Sequence, residues 1–272
     1  MPNFNDKNEL LKQYSTPDRL NTRANLHNLF STNKMGWAKW VFQNYKLKSN
    51  QTILELGCGN GSMWSAYADN IPEGIRLILS DFSNGMLESA KRNTSNMSYI
   101  EYKVIDAQYI PYDNETFDII IANHMLYHVA DIDKALKEIS RVIKPDGIFY
   151  STTIGENNLK EIIEILHNFN HAIDFARESI TKMFGLETGK KKLEKYFNKV
   201  ELLRYEDSLH ITDPQPLIDY ILSSQGIGNV NDIITDENVF VFSDYIKSLF
   251  SKHGYIDVKK DAGIFISTDP II

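Results

Sequence analysis

A single cysteine, Cys58, stands in 272 residues. No disulfide can close within the chain, and the expected setting is a reducing one, read as the cytoplasm. No apolar run approaches the ~20 residues that span a bilayer, and the start, Met1-Pro2-Asn3-Phe4-Asn5-Asp6, has no basic-then-apolar export layout. No membrane partner is expected. Basic charge is not in excess either: 29 Lys and Arg face 36 Asp and Glu, a net charge of −7. That disfavours nucleic acid, whose phosphates call for clustered cations. The charge is uneven, however, because residues 1–50 hold eight basic and three acidic residues, +5, leaving −12 for the remainder. Repeats and low-complexity tracts are absent, and 42% hydrophobic composition suffices for one sizeable core with a smaller subdomain beside it.

What is present is organised around Ile53-Leu54-Glu55-Leu56-Gly57-Cys58-Gly59-Asn60-Gly61, an apolar strand that ends on an acid and runs into three alternating glycines before a helical stretch. A turn this tight needs residues free to take positive φ, and side chains there would keep a ligand off the backbone. Gly57, Gly59 and Gly61 are therefore read as a ligand-facing turn, with Cys58 a small filler between them. A dinucleotide turn would be G-x-G-x-x-G, but Ser62 stands three residues after Gly59, so that spacing fails. Glu55 would repel a pyrophosphate and attract an ammonium. The expected ligand carries a cation.

E-x-G-x-G-x-G after an apolar strand resembles the first motif of class I S-adenosylmethionine-dependent methyltransferases, of the bacterial small-molecule kind known as type 11 or 25. Other landmarks follow in order. Ile75 to Ser80 reads as a second strand ending on Asp81, 20 residues past Gly61, where a carboxylate can accept from both ribose hydroxyls. Asp106-Ala107 follows the strand-like Tyr99 to Ile105, Phe117 to His124 is a fourth strand, and Lys144-Pro145-Asp146-Gly147 precedes a fifth over Ile148 to Thr153. The resemblance implies an α/β fold: a Rossmann-like, doubly wound, seven-stranded, mostly parallel sheet, closed by an antiparallel pair at Val200–Tyr205 and Ile264–Thr268. It implies S-adenosylmethionine as cofactor, with S-adenosylhomocysteine as product. Cofactor contacts are expected at Glu55, Gly57, Gly59, Gly61, Asp81, Phe82, Met86, Asp106, Ala107, Asn123 and His124.

Before the first strand, Thr16-Pro17 opens a helix to about Phe30 and a second starts at Gly36 with Trp37, Trp40 and Val41 on one face. Arg19, Arg23 and His27 share one helical face; it is either a solvated stripe or a face on the pocket, where Arg23 would meet the cofactor's carboxylate. Three segments result: a helical lid over 1–50, a cofactor-binding core over 51–155, and helical insertions with the last two strands over 156–272, which build the substrate chamber. Asn157 to Phe184 reads as one long helical region. Within it His167, His171 and Asp174 could hold a metal only if the helix aligned them, and no metal is expected. Lys190-Lys191-Lys192 reads as a solvated run, against a site for a phosphate-bearing substrate.

An activated methyl needs alignment and dryness more than covalent help, and a base only where the acceptor is protonated. His128, Tyr127 and His27 are the candidates for that role, with a structural histidine as the competing reading of His128. The expected function is methyl transfer to a small molecule by a monomer or homodimer. A non-catalytic S-adenosylmethionine sensor or scaffold, or an aminopropyl or other transferase on the same fold, are the alternatives.

Overall fold

In the computed structural model, residues 18–175, 177–223 and 228–271 are described, the side chains of residues 18–20 and 177 excepted. The polar arm over residues 1–15 and the Thr16-Pro17 cap lie outside them. Helices α1 (Asp18–Phe30) and α2 (Trp37–Asn44) precede a seven-stranded sheet of order β3-β2-β1-β4-β5-β7-β6. Its members are β1 (Thr52–Leu56), β2 (Arg76–Asp81), β3 (Ile100–Val104), β4 (Phe117–Asn123), β5 (Ile143–Ile154), β6 (Phe197–Ile211) and β7 (Ile256–Pro270). β1 to β5 run parallel, while β7 is antiparallel to both β5 and β6. The expected fold class is the one observed.

Alternation along the strands explains the two layers. Ile53, Leu77, Ile119 and Ile121 face one side, where they pack with Trp64 and with Val41 and Phe42 of α2. Leu54, Ile78 and Ile120 face the other, covered by Ala135, Leu136 and Ile139 of helix α5 (Ile132–Val142). The chain leaves β1 for β2 on one side and returns to β4 on the other, so a crevice opens at the carboxyl ends of β1 and β4.

A second apolar cluster lies beyond the sheet. It joins Leu26 of α1 to Ile162 and Leu166 of α6 (Lys160–Phe169), and to helices α9 (Pro214–Leu222) and α11 (Val239–His253) through Leu217, Ile221 and Phe242. Leu209 of β6 and Val258 of β7 belong to it too, because both strands are 15 residues long and overrun the end of β5. The last β5 pair is Ile154↔Ala262, whereas β6 and β7 continue pairing out to Ile211↔Ile256. This projecting ribbon carries the cap and was expected to stop at Tyr205.

Three expectations are corrected. The lid does not extend to residue 50: Val41, Phe42 and Tyr45 are buried in the sheet core, so α2 is part of the core and the cap begins with α1 alone. The helical region over 157–184 is broken, because the Asn170 side chain accepts from the Ala172 N–H at 2.9 Å and offers the backbone a turn in place of another helical step. It resumes as α7 (Arg177–Phe184) and α8 (Leu186–Leu193), the latter carrying the lysine run. Finally, Lys144 to Gly147 lies within β5 as an irregularity between the pairs Phe117↔Ile143 and Ile119↔Ile148.

Leu26 is fully buried although α1 was expected as a closing flap. Leu26→Ala should lower stability by about 2–5 kcal/mol, as truncating a buried leucine does, in urea unfolding followed by circular dichroism. A loosely laid flap would lose no more than about 0.5 kcal/mol.

Candidate functional site

The crevice is the mouth of a cavity of about 1010 Å³ between the sheet's carboxyl edge and the cap. Its sheet side begins at Glu55, which burial would penalise heavily as a bare charge. Glu55 Oε2 accepts from Trp64 Nε1 at 2.6 Å and Oε1 from Asn123 Nδ2 at 2.9 Å. Even so, desolvation outweighs both hydrogen bonds and pushes the carboxyl up to about 7. Asn123 also donates to Tyr45 Oη at 2.8 Å and accepts from Thr152 Oγ1 at 3.3 Å. Asn123 is thereby locked in one orientation at the end of β4.

The glycine turn divides its work. Gly57, Gly59 and Gly61 have φ of 67°, 57° and 68°, but only Gly57 and Gly59 line the cavity. A Cβ on Gly61 would stand 3.2 Å from that of Ala90; this glycine lets helix α4 (Asn84–Asn93) approach, which corrects its reading as ligand-facing. The Gly59 N–H donates to Asp81 Oδ2 at 3.0 Å and the Ser83 N–H to Oδ1 at 2.8 Å. Burial nonetheless raises the Asp81 carboxyl above its ordinary range. Asp106 lines the same side, with Oδ1 accepting from the Gln108 N–H at 3.0 Å, near Phe82, Met86 and Ala107. Burial pushes the Cys58 thiol well up, against any nucleophilic role.

Three histidines line the cavity as well, His27 from α1 and His124 and His128 from the segment after β4. His124 follows β4 with φ 49°, a left-handed conformation costly for a side-chain-bearing residue. Its N–H donates to Thr152 O at 3.2 Å, and its ring lies 5.2 Å from that of Trp37. Burial, with Lys260 adding to it, lowers its pKa to about 4. Desolvation and then Arg23 bring His128 to about 3, and desolvation and then Lys260 bring His27 to about 3. All three are neutral at pH 7. Tyr127, 4.7 Å from the His128 ring, and Arg23 also line the cavity. The sequence-predicted site residues thus converge here, Gly61 excepted.

Residues that sequence reasoning missed include Lys260 of β7, Tyr220 of α9, and Asn158. Asn158, Tyr220 and Lys260 sit far apart in sequence, and no motif marks them. Conversely, His167 is exposed on α6 and His171 is exposed beyond its end. Among the described residues no group of three His, Cys, Asp or Glu could hold a metal. No helix among them is long and apolar enough to cross a membrane.

Comparison with known proteins agrees with this arrangement. A family described as a methyltransferase domain matches residues 54–151. A demethylmenaquinone methyltransferase of Lactobacillus johnsonii is 34% identical over 163 residues, 58% of this chain and 62% of that protein. The UbiE C-methyltransferase of ubiquinone and menaquinone biosynthesis from Escherichia coli is 30% identical over 114 residues, 41% of this chain and 45% of that one. The chain thus spans less than two thirds of the length of these curated relatives. Among solved structures, the YcgJ protein of Bacillus subtilis has a TM-score of 0.56 at 16% identity, covering 84% of this chain and 96% of that one. Phosphoethanolamine N-methyltransferase 2 of Haemonchus contortus, in complex with phosphomonomethylethanolamine and S-adenosylhomocysteine, has a TM-score of 0.52 at 21% identity, covering 87% and 53%. At such identities the likeness is one of fold.

The Glu55 proton has a stability consequence. The folded protein keeps it up to about pH 7, whereas an ordinary glutamate releases it near 4.5. Stability from this group is therefore fully present below about 4.5 and is lost as pH rises towards 7, by roughly 3 kcal/mol in total. Glu55→Gln should flatten that fall in urea midpoints measured across the window. An unchanged slope would mean that Glu55 titrates alike in the folded and unfolded chain.

Proposed function

We propose that the chain, whose residues 54–151 match a family described as a methyltransferase domain and whose sheet has the order β3-β2-β1-β4-β5-β7-β6, binds S-adenosylmethionine in this cavity and directs methyl transfer to a small-molecule acceptor. One observation carries this reading. Glu55, Asp81 and Asp106, from the ends of β1, β2 and β3, line one side of a single cavity, spaced along the crevice where an open α/β sheet binds ligands. A cofactor with an amino-acid ammonium, a ribose diol and an adenine amino group offers donors to all three.

The residues present fit that cofactor. Asp81 accepts from the backbone of Gly59, Phe82 and Ser83 and keeps acceptor capacity for a ribose hydroxyl. Asp106 faces the adenine end, and Glu55 with the locked Asn123 faces the ammonium. Arg23, on α1, is the candidate partner of the cofactor's carboxylate. When bound, the sulfonium supplies an already activated methyl group, and the protein's part is to align the acceptor and exclude water.

His124, His128, Tyr127 and His27 line the same cavity and are the candidates to meet an acceptor. Held neutral, the imidazoles can orient a hydroxyl or take up a proton as it leaves, but as bases of pKa about 3 to 4 they are weak. The chain is read as a monomer or homodimer of the cytoplasm, with no nucleic-acid partner.

Isothermal titration with S-adenosylhomocysteine is the test. The wild type should bind it and not NAD, and Asp81→Ala should weaken binding by about 1.5–3 kcal/mol, the scale of lost hydrogen bonds to a charged group. Unchanged affinity in the variant would remove Asp81 from the site, and binding of NAD alone would overturn the cofactor reading.

A further inference from the structure

The cavity is electrostatically divided. Among the described residues, the carboxylates that line it are Glu55, Asp81 and Asp106, all on the sheet side. The cations that line it, Arg23, Lys34, Lys39 and Lys260, come from α1, the turn after it, α2 and β7. The acceptor end therefore has walls without a negative charge.

Lys260 is the cation held by a buried ion pair. Its side chain is 8% exposed and its partner, Asp207, is 0% exposed. The two are directly opposed across the ribbon, Asp207↔Lys260, and so project from the same face. Asp207 Oδ2 accepts from Ser31 Oγ at 2.6 Å as well as from Lys260 Nζ, while Oδ1 accepts from the Asn33 N–H at 2.9 Å. Asp207 is thus saturated by protein, and it does not line the cavity. Lys260 does. Among the described residues its ammonium has one hydrogen-bond partner, Asp207, of the three it can serve. The pair presents its positive end to the chamber with donors to spare.

The Lys260 ammonium lies 5.5 Å from the Tyr205 ring and its charge is felt by the neutral His27 and His124, and the cavity it lines has a large apolar and aromatic share that includes Trp37, Tyr127, Ile154, Leu159, Phe175 and Ile180. An ammonium acceptor would meet a like charge here, with no carboxylate to offset its desolvation. We propose that the acceptor end takes an apolar-bodied molecule bearing an oxyanion, carboxylate or ionised hydroxyl, and that Lys260 is the residue that reads that oxygen. This rests on the methyl-transfer reading and narrows its acceptor class to anionic oxygen or a carbon conjugated with it. The neutral histidines are consistent with it, since an acceptor that arrives as an anion has little need of a strong base.

The test uses the protein saturated with S-adenosylhomocysteine and three probes with the same ring: 2-naphthoate, 2-naphthol and 2-naphthylmethylamine, which is an ammonium at pH 7. Binding is followed by titration calorimetry. The carboxylate or the naphthol should bind at least tenfold tighter than the ammonium, and whichever of the two is tighter identifies the oxygen source. Lys260→Met should abolish that preference while leaving S-adenosylhomocysteine affinity unchanged. Because Lys260→Met alone leaves Asp207 buried without its partner, the double variant Asp207→Asn/Lys260→Met is measured beside it, with a thermal melt of each. An ammonium probe that binds as tightly as the others, or an oxygen preference that survives in the folded double variant, overturns the proposal. Failure of the wild type to bind S-adenosylhomocysteine at all would instead sink the cofactor reading on which it rests.

Discussion

A carboxyl group cannot be left in the interior of a sheet without partners, and Glu55, only 4% exposed, is the group this structure is obliged to satisfy. Trp64 and Asn123 do so, and the obligation spreads from them. Trp64 fixes the short helix after the glycine turn against α2, while Asn123 binds Tyr45 at the end of α2 and Thr152 on β5. One buried acid therefore draws together α2, β1, β4 and β5 at the edge where the cavity opens. This is also why His124 can be held at φ 49°. The residues on both sides of it are anchored, and its own N–H has Thr152 to bond, so the strain is offset locally.

The same edge sets the polarity of the cavity. Strands β1, β2 and β3 each have an acid within two residues of their carboxyl ends, and nothing on the sheet side neutralises all three. The cap supplies the opposite sign through α1 and through Lys260 on the ribbon. A ligand with cationic and donor groups at one end and an anionic acceptor beyond it matches both faces at once. Such fixed charges are aimed before any ligand arrives, which is the condition under which electrostatics helps a reaction instead of merely following it.

What could be read from the sequence is what local patterns encode. β1 to β5 show as apolar runs ending at turn or acid signals, α5 as a spacing of three and four, and the acids as strand-end residues, so most of the sheet side of the cavity was legible. Gly61 was misassigned because a glycine demanded by a passing helix, here through Ala90, looks the same in sequence as one demanded by a ligand. Asn170 broke a helix that its apolar neighbours would have continued. The ribbon beyond Tyr205 was missed for a different reason: Glu206, Asp207, Lys259, Lys260 and Asp261 look like a solvated loop. Their burial and pairing exist only once the register Asp207↔Lys260 is set by the whole of β6 and β7. Lys260 was invisible for that reason, and with it the character of the acceptor end.

The ribbon also constrains how a ligand can enter. Cap and sheet share β6 and β7, which cross from one to the other as unbroken 15-residue strands. Bending them would break ladder hydrogen bonds and the paired Asp207 and Lys260, whose separation leaves a charge buried alone. Helix α1 is attached differently: Ser31 and Thr32 bond Asp207 and Ser208 at its end, and Leu26 seats it against α9. Moving α1 exposes one leucine-centred contact and a handful of edge hydrogen bonds, a far smaller cost than bending the ribbon. Of the two attachments the ribbon is thus the stiffer, while α1, which brings Arg23 and His27 to the cavity wall, is held by the buried Leu26 and its edge hydrogen bonds.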